Sequence, residues 1–171
     1  MAESLPEVWL RGPVENVPLL LQPVAHALLQ ATEEIQLLMT GFPDGKLWEM
    51  PAGSASPGFH LLHITGVLNR LCTYALAKPL SDTQLVYLKE ETIAHDFTTQ
   101  YLVQQVEQQV QHTIDQLKVT PEASLTEVRT VGRKALPSTV QGLLFHAAEH
   151  IMRHLGQLLV TVRMLQEADD S

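Results

Sequence analysis

Four amphipathic stretches of about twenty residues or more divide this chain of 171 residues, and they leave it few ways to fold. In the first, Val17, Leu21, Val24, Leu28, Ala31, Ile35 and Leu38 alternate spacings of four and three, a heptad stripe that a helix gathers on one face. Pro18 and Pro23 suit only an opening turn, so the regular helix is expected to begin near Pro23 or to kink there. Gly41-Phe42-Pro43-Asp44-Gly45 ends it. The second runs from Pro57 to about Ala77, with Ser56 as its cap and Leu61, Ile64, Leu68, Leu71 and Ala75 as its stripe. The third, capped by Ser81 or Asp82, reaches about Lys118, with room for a break between Thr92 and Asp96. Its inner face is Val103, Val106, Val110, Ile114 and Leu117. Ser138 is the expected cap of the fourth, whose stripe is Leu144, Ala147, Ile151, Leu155, Leu158, Val162 and Leu165.

Helices of this length bury their stripes most economically as a four-helix bundle, so an all-α fold is expected, with residues 1–171 as a single domain. The composition agrees: 45% of residues are hydrophobic but only 5% aromatic, which suits helices better than a β-sandwich. The connections at 46–57 and 119–137 are long and irregular, which admits topologies other than simple up-down alternation. Thr126 to Val131 suits a short extended piece. A net charge of -8 with no Lys/Arg cluster argues against a nucleic-acid partner. The start of the chain lacks a basic segment followed by an apolar stretch, and no apolar run approaches the roughly 18 residues of a membrane span. A soluble, cytoplasmic protein without a membrane partner is therefore expected. Cys72 is the single cysteine, so no intrachain disulfide forms, and its apolar setting predicts a buried, inert thiol.

The fourth helix carries the chemistry. His146, His150 and His154 recur every four residues and stack on one face. Two imidazoles at i, i+4 can hold one transition-metal ion between them, although the Glu that completes the zinc-protease motif is missing here. On a helical wheel His150 and His154 lie beside the Ala147, Ile151 and Leu155 stripe, at the edge of a core or lining a cleft. A lone histidine there is most often a packed core residue; a pair, with His60 and His63 available on the second helix, favours a metal site. His63 is the preferred third ligand, sharing a face with Val67 and Arg70, and His60 is the reserve. His146 ranks last as a ligand. His26, His95 and His112 have no partner at useful spacing. Glu149 and Arg153 read as a surface salt bridge, Arg70 as solvated or paired with a Glu, and Gly132-Arg133-Lys134 as a solvated basic spot. Nucleophile-elbow, phosphate-loop and Cys-x-x-Cys patterns are absent.

Gly58-Phe59-His60-Leu61-Leu62-His63-Ile64 with Arg70-Leu71, and His150-Ile151-Met152-Arg153-His154-Leu155-Gly156-Gln157-Leu158, resemble the two-part motif of the DinB-like (DinB/YfiT-like) superfamily of metalloenzymes. Trp48 also suits that pattern. The resemblance implies an up-down-down-up four-helix bundle, with a divalent ion held by His63, His150 and His154. It further implies homodimers and, among characterised relatives, S-transferases dependent on bacillithiol or mycothiol and a mycothiol-dependent maleylpyruvate isomerase. Relatives named for induction by DNA damage have no established activity. The expected cofactors are a divalent ion, zinc or nickel ahead of iron or manganese, and a low-molecular-weight thiol.

Three functional readings follow. The leading one is a metal-dependent transferase joining a thiol to a small-molecule electrophile. The second is a metal-dependent hydrolase, and the third a non-enzymatic, dimeric stress-response protein whose metal is structural or vestigial.

Overall fold

The computed structural model describes residues 5–167, so part of the amino-terminal stretch on which the absence of an export signal was expected lies outside the described residues. The chain is mostly helical. In order, it forms α1 (Gln22–Met39), α2 (Pro57–Ala75), α3 (Asp82–Glu90), α4 (Thr99–Val119), the strands β1 (Val128–Val131) and β2 (Leu136–Thr139), and α5 (Val140–Glu167). Among the described residues, no helix is long and apolar enough to cross a membrane.

The apolar stripes become the core. Leu21, Leu28, Ile35, Leu61, Ile64, Leu68, Leu117, Leu144, Ile151, Leu158 and Val162 are all less than 2% exposed. Each large side chain so buried stabilises the fold by about 1.5–3 kcal/mol relative to exposure. The α1 stripe reaches the core from Val17 onward although the regular helix begins only at Gln22, because Leu19–Leu21 form a 3-10 turn ahead of Pro23. The principal neighbours of α2 are α4 and α5, and those of α1 are the same two.

Helix boundaries follow their caps. Ser56 Oγ accepts the Phe59 amide at 3.2 Å, and Ser81 exchanges hydrogen bonds with Gln84 in a capping box. The expected break in the third segment is real. Glu91 ends α3, and Thr98 Oγ1 then accepts the Tyr101 amide at 3.1 Å to start α4. The expected cap of the last helix needs correction: Thr139 Oγ1, not Ser138, accepts the Gly142 amide at 3.0 Å. Ser138 is held in β2 opposite Arg129, and that strand runs straight into α5. The extended piece anticipated at Thr126 to Val131 is β1, paired antiparallel with β2, and Gly132-Arg133-Lys134 forms the tip of this hairpin.

The connection from α1 to α2 carries two 3-10 turns, Asp44–Lys46 and Pro51–Gly53. It is pinned to the rest of the molecule. Trp48 Nε1 donates to the His95 carbonyl at 2.7 Å, and Asp44 Oδ1 accepts the Thr99 amide at 2.7 Å. Trp48 lies so close to α2 that a Cβ at Gly58 would meet its ring at 2.8 Å. Cys72 is buried as expected, and burial pushes its thiol pKa up.

Candidate metal centre

Helix α2 delivers His60 and His63, and α5 delivers His150 and His154, because the two helices pack side by side along their length. His63, His150 and His154 each offer one ring nitrogen, and these atoms lie within 4.8 Å of one another. His63 Nε2 and His150 Nε2 stand 3.1 Å apart. The ring centroids of His63 and His154 are 4.7 Å apart, and those of His150 and His154 are 4.5 Å apart.

Burial sets the charge of these rings. The pKa of His154 is pushed down to about 3, by burial first and then by His150, His63 and His60. His150 falls to about 4, again through burial and then through His63. His60 also falls to about 4, from burial and its proximity to His63. At neutral pH these three rings are uncharged, the form in which imidazole binds metal.

The backs of the rings differ. His63 Nδ1 donates to Glu91 Oε2 at 2.7 Å, and Arg70 Nη1 donates to the other carboxylate oxygen at 2.5 Å. Behind His154, the Nδ1 atoms of His154 and His60 are 2.9 Å apart, so one donates and the other accepts. His150 Nδ1 is buried without a partner. Phe59 stacks on His63 with centroids 5.1 Å apart and meets His60 and His154 edge-on.

The donor set fits a divalent ion. Two imidazole nitrogens bound to one ion at 2.0–2.1 Å stand about 2.8–3.4 Å apart at octahedral to tetrahedral angles, which spans the His63–His150 separation of 3.1 Å. Without an ion, one Nε2–H donates to the other Nε2 at 3.1 Å; a bound ion would take both lone pairs in place of that single hydrogen bond. A site with three imidazoles also keeps coordination positions free, as catalytic zinc sites do.

The other histidines behave as ordinary side chains. His26 bonds the Gly12 carbonyl, His95 the Glu90 carbonyl, and His112 is exposed. His146 pairs with Glu149 on the outer side of α5. These two form a second cluster with His150, but Arg153 already closes it by donating to Glu149 at 2.5 Å, the salt bridge the spacing predicts. Arg70 does pair with a Glu, and that partner is Glu91, which sequence reading left unmarked. Beside the centre lies a cavity of about 560 Å³, lined by Phe59, His60, Arg153, Gly156, Gln157 and Thr161 among others. None of the three clustered histidines lines this cavity, which adjoins the centre through His60 and Phe59, or the two larger hollows of about 700 and 670 Å³.

The helical fold has counterparts among known proteins. The model of the DinB superfamily matches residues 27–158, and the chain belongs to that superfamily. A crystal structure of a conserved protein from Enterococcus faecalis is similar at a TM-score of 0.66 and 21% identity, covering 84% of this chain and 95% of that one. At that identity the likeness shows the fold alone. No curated protein matches the chain.

Proposed function

We propose that the protein is a metal-dependent S-transferase, in which His63, His150 and His154 hold a divalent ion and a low-molecular-weight thiol is joined to a small electrophile. The observation that carries this reading is the convergence of three imidazole nitrogens within 4.8 Å. Zinc or nickel suits the all-nitrogen donor set ahead of iron or manganese. Such an ion, when bound, lowers the pKa of a thiol or water brought against it.

The chain's own groups do the rest. Phe59 covers one face of the His63 ring, and the adjoining cavity is large enough for a small electrophile. Arg153 and Gln157 line that cavity and can orient a polar substituent. In the transfer, the thiol sulfur forms the new bond to the electrophilic carbon as that carbon's bond to its leaving group breaks; the leaving group departs with the electron pair, and the thiol's proton goes to solvent or to that group. Hydrolysis is less well supported. Glu91 is the buried carboxylate in contact with the centre, and both its oxygens are occupied by His63 and Arg70. It is therefore not available as a general base for water.

We also read α1, α2, α4 and α5 as an up-down-down-up bundle. The long 40–56 crossover supports it, as does the pairing of α1 and α2 each with α4 and α5. Two copies are expected to associate along α5, where Phe145, Met152 and Leu159 recur every seven residues and are 64%, 38% and 36% exposed. Light scattering should give twice the chain mass, falling to one chain mass on Phe145→Glu/Met152→Glu. A monomeric wild type would remove the dimer.

The functional test is elemental mass spectrometry on protein purified without chelator, beside a His63→Ala/His150→Ala variant. Near-stoichiometric metal is expected in the wild type and none in the folded variant. Cobalt-loaded protein should then change its visible spectrum when a thiol is added. Metal that binds while the spectrum ignores every thiol would reject the transferase and favour a structural ion. Absence of metal after exposure to zinc, nickel and manganese would reject the centre itself.

A further inference from the structure

We infer that Glu91 is a positioning residue of this centre: its carboxylate, with Arg70 as counter-charge, fixes the His63 ring so that the proton sits on Nδ1 and Nε2 is left for an ion. The inference rests on the reading of His63, His150 and His154 as ligands.

The geometry allows one tautomer. An ionised carboxylate only accepts hydrogen bonds, so the 2.7 Å contact of Glu91 Oε2 with His63 Nδ1 makes that nitrogen the donor. The remaining ring nitrogen, Nε2, is then unprotonated, and it is the atom that stands 3.1 Å from His150 Nε2. A carboxylate behind a metal-binding histidine fixes its tautomer and orientation and makes it the better ligand.

Glu91 is held where a carboxylate is expensive to keep. It is only 2% exposed, and a buried charge persists only where it is paired and hydrogen-bonded. Arg70, itself buried, supplies that pair through a 2.5 Å bond to Oε1. His63, Gly66 and Arg70 fall at i, i+3 and i+7, one face of α2, and the segment leaving α3 lays Glu91 across that face.

Gly66 makes the approach feasible. A Cβ there would lie 2.0 Å from Glu91 Oε1 and 2.7 Å from Arg70 Nη1, so any side chain at this position pushes the carboxylate and guanidinium out of their present places. Tyr87 closes the same spot, with its ring 2.8 Å from that Cβ position and its hydroxyl donating to the Leu62 carbonyl. A carboxylate, its counter-ion and a glycine notch therefore converge on the back of a single candidate ligand.

The test is Glu91→Gln in the full chain, with two readings. Zinc affinity, measured by competition with a chromophoric chelator, should weaken about 10–100-fold while the circular dichroism stays that of the wild type. Nitrogen-15 NMR of the metal-free protein should find His63 protonated on Nδ1 in the wild type and in a tautomer mixture in the variant. Gly66→Ala leaves every ligand and charge in place but displaces the carboxylate, so it should weaken zinc similarly; it decides the matter if Glu91→Gln does not fold. Wild-type affinity and an unchanged His63 tautomer in a folded variant overturn the inference. A wild type that binds no zinc overturns the metal reading instead, and the tautomer comparison still decides the role of Glu91.

Discussion

Metal-free protein is expected to lose stability steadily as the pH falls below about 6.5, and a saturating divalent ion is expected to stabilise it at neutral pH but not in acid. His60, His150 and His154 take a proton only near pH 4, 4 and 3 in the folded state, chiefly because they are buried. In the unfolded chain the same rings protonate near the ordinary value of about 6.5. Above that pH they are neutral in both states and contribute no pH dependence. Between about 6.5 and 3 the unfolded state binds more protons, so stability rises with pH and is lost on acidification. The partial exposure of the rings moderates the size of the effect without changing its sign. Metal binding has a proton linkage of the same sign, since each ligand must be neutral. An ion at a hundred times its dissociation constant adds about 2.7 kcal/mol to the folded state at pH 7. Thermal midpoints of chelated and zinc-loaded protein, taken from pH 7 to pH 3, should both fall, and should converge only at about pH 4 and below, where His150 and His154 take protons in the folded state. A chelated protein whose midpoint is flat through this window would falsify the burial argument. Zinc-induced stabilisation that persists undiminished below about pH 3 would show that the ion sits elsewhere.

The fold was legible because its information is periodic. The stripe Leu144, Ala147, Ile151, Leu155, Leu158, Val162 and Leu165 is buried along its whole length, and the same holds for Leu61, Ile64, Leu68, Leu71 and Ala75. The sequence also marked the ligand candidates, since His150 and His154 declare a helical pair and α2 offers only His60 and His63 to meet them. It put His63 ahead of His60 on the face that His63 shares with Val67 and Arg70, but it gave no position for His60. Both lie on the side of α2 that meets α5, and the structure separates them by partner: His63 faces the other two rings, while His60 stands behind His154.

Glu91 was invisible for a physical reason. It follows Lys89-Glu90 just beyond a helix end, where an exposed, solvated Glu is the ordinary expectation, and its burial depends on where α3 is laid against α2. The one local hint was Gly66. A glycine in a helix interior costs about 1 kcal/mol relative to alanine, so it usually marks a close approach, but nothing in the sequence says what approaches. The cap of α5 failed similarly: Ser138 and Thr139 are equivalent as cap residues, and only the pairing of β2 with β1 decides between them.

Leu61→Ala is expected to be the most damaging single substitution near the centre, and its damage should fall on stability rather than on the ligands. Leu61 is fully buried in the common core, between His60 and Leu62 on α2. Truncating a buried leucine costs about 2–5 kcal/mol in lost transfer energy and residual cavity. That is a large share of the roughly 5–15 kcal/mol that holds a domain together. For a chain of this size it corresponds to a fall of about 4–20 °C in the thermal midpoint. Leu37→Ala, on the 80% exposed side of α1, should change stability by no more than about 0.5 kcal/mol and serves as the control. Zinc at a hundred times its dissociation constant should restore about 2.7 kcal/mol, because the ion binds the folded state alone. The two measurements separate two roles of the core. If the zinc dissociation constant of the folded Leu61→Ala protein equals that of the wild type, the histidines are held by their own partners, Glu91 and His60. If it weakens while the chain remains folded, the packing beneath α2 sets the spacing of His63 from His150, and the centre is a property of the core as much as of its ligands.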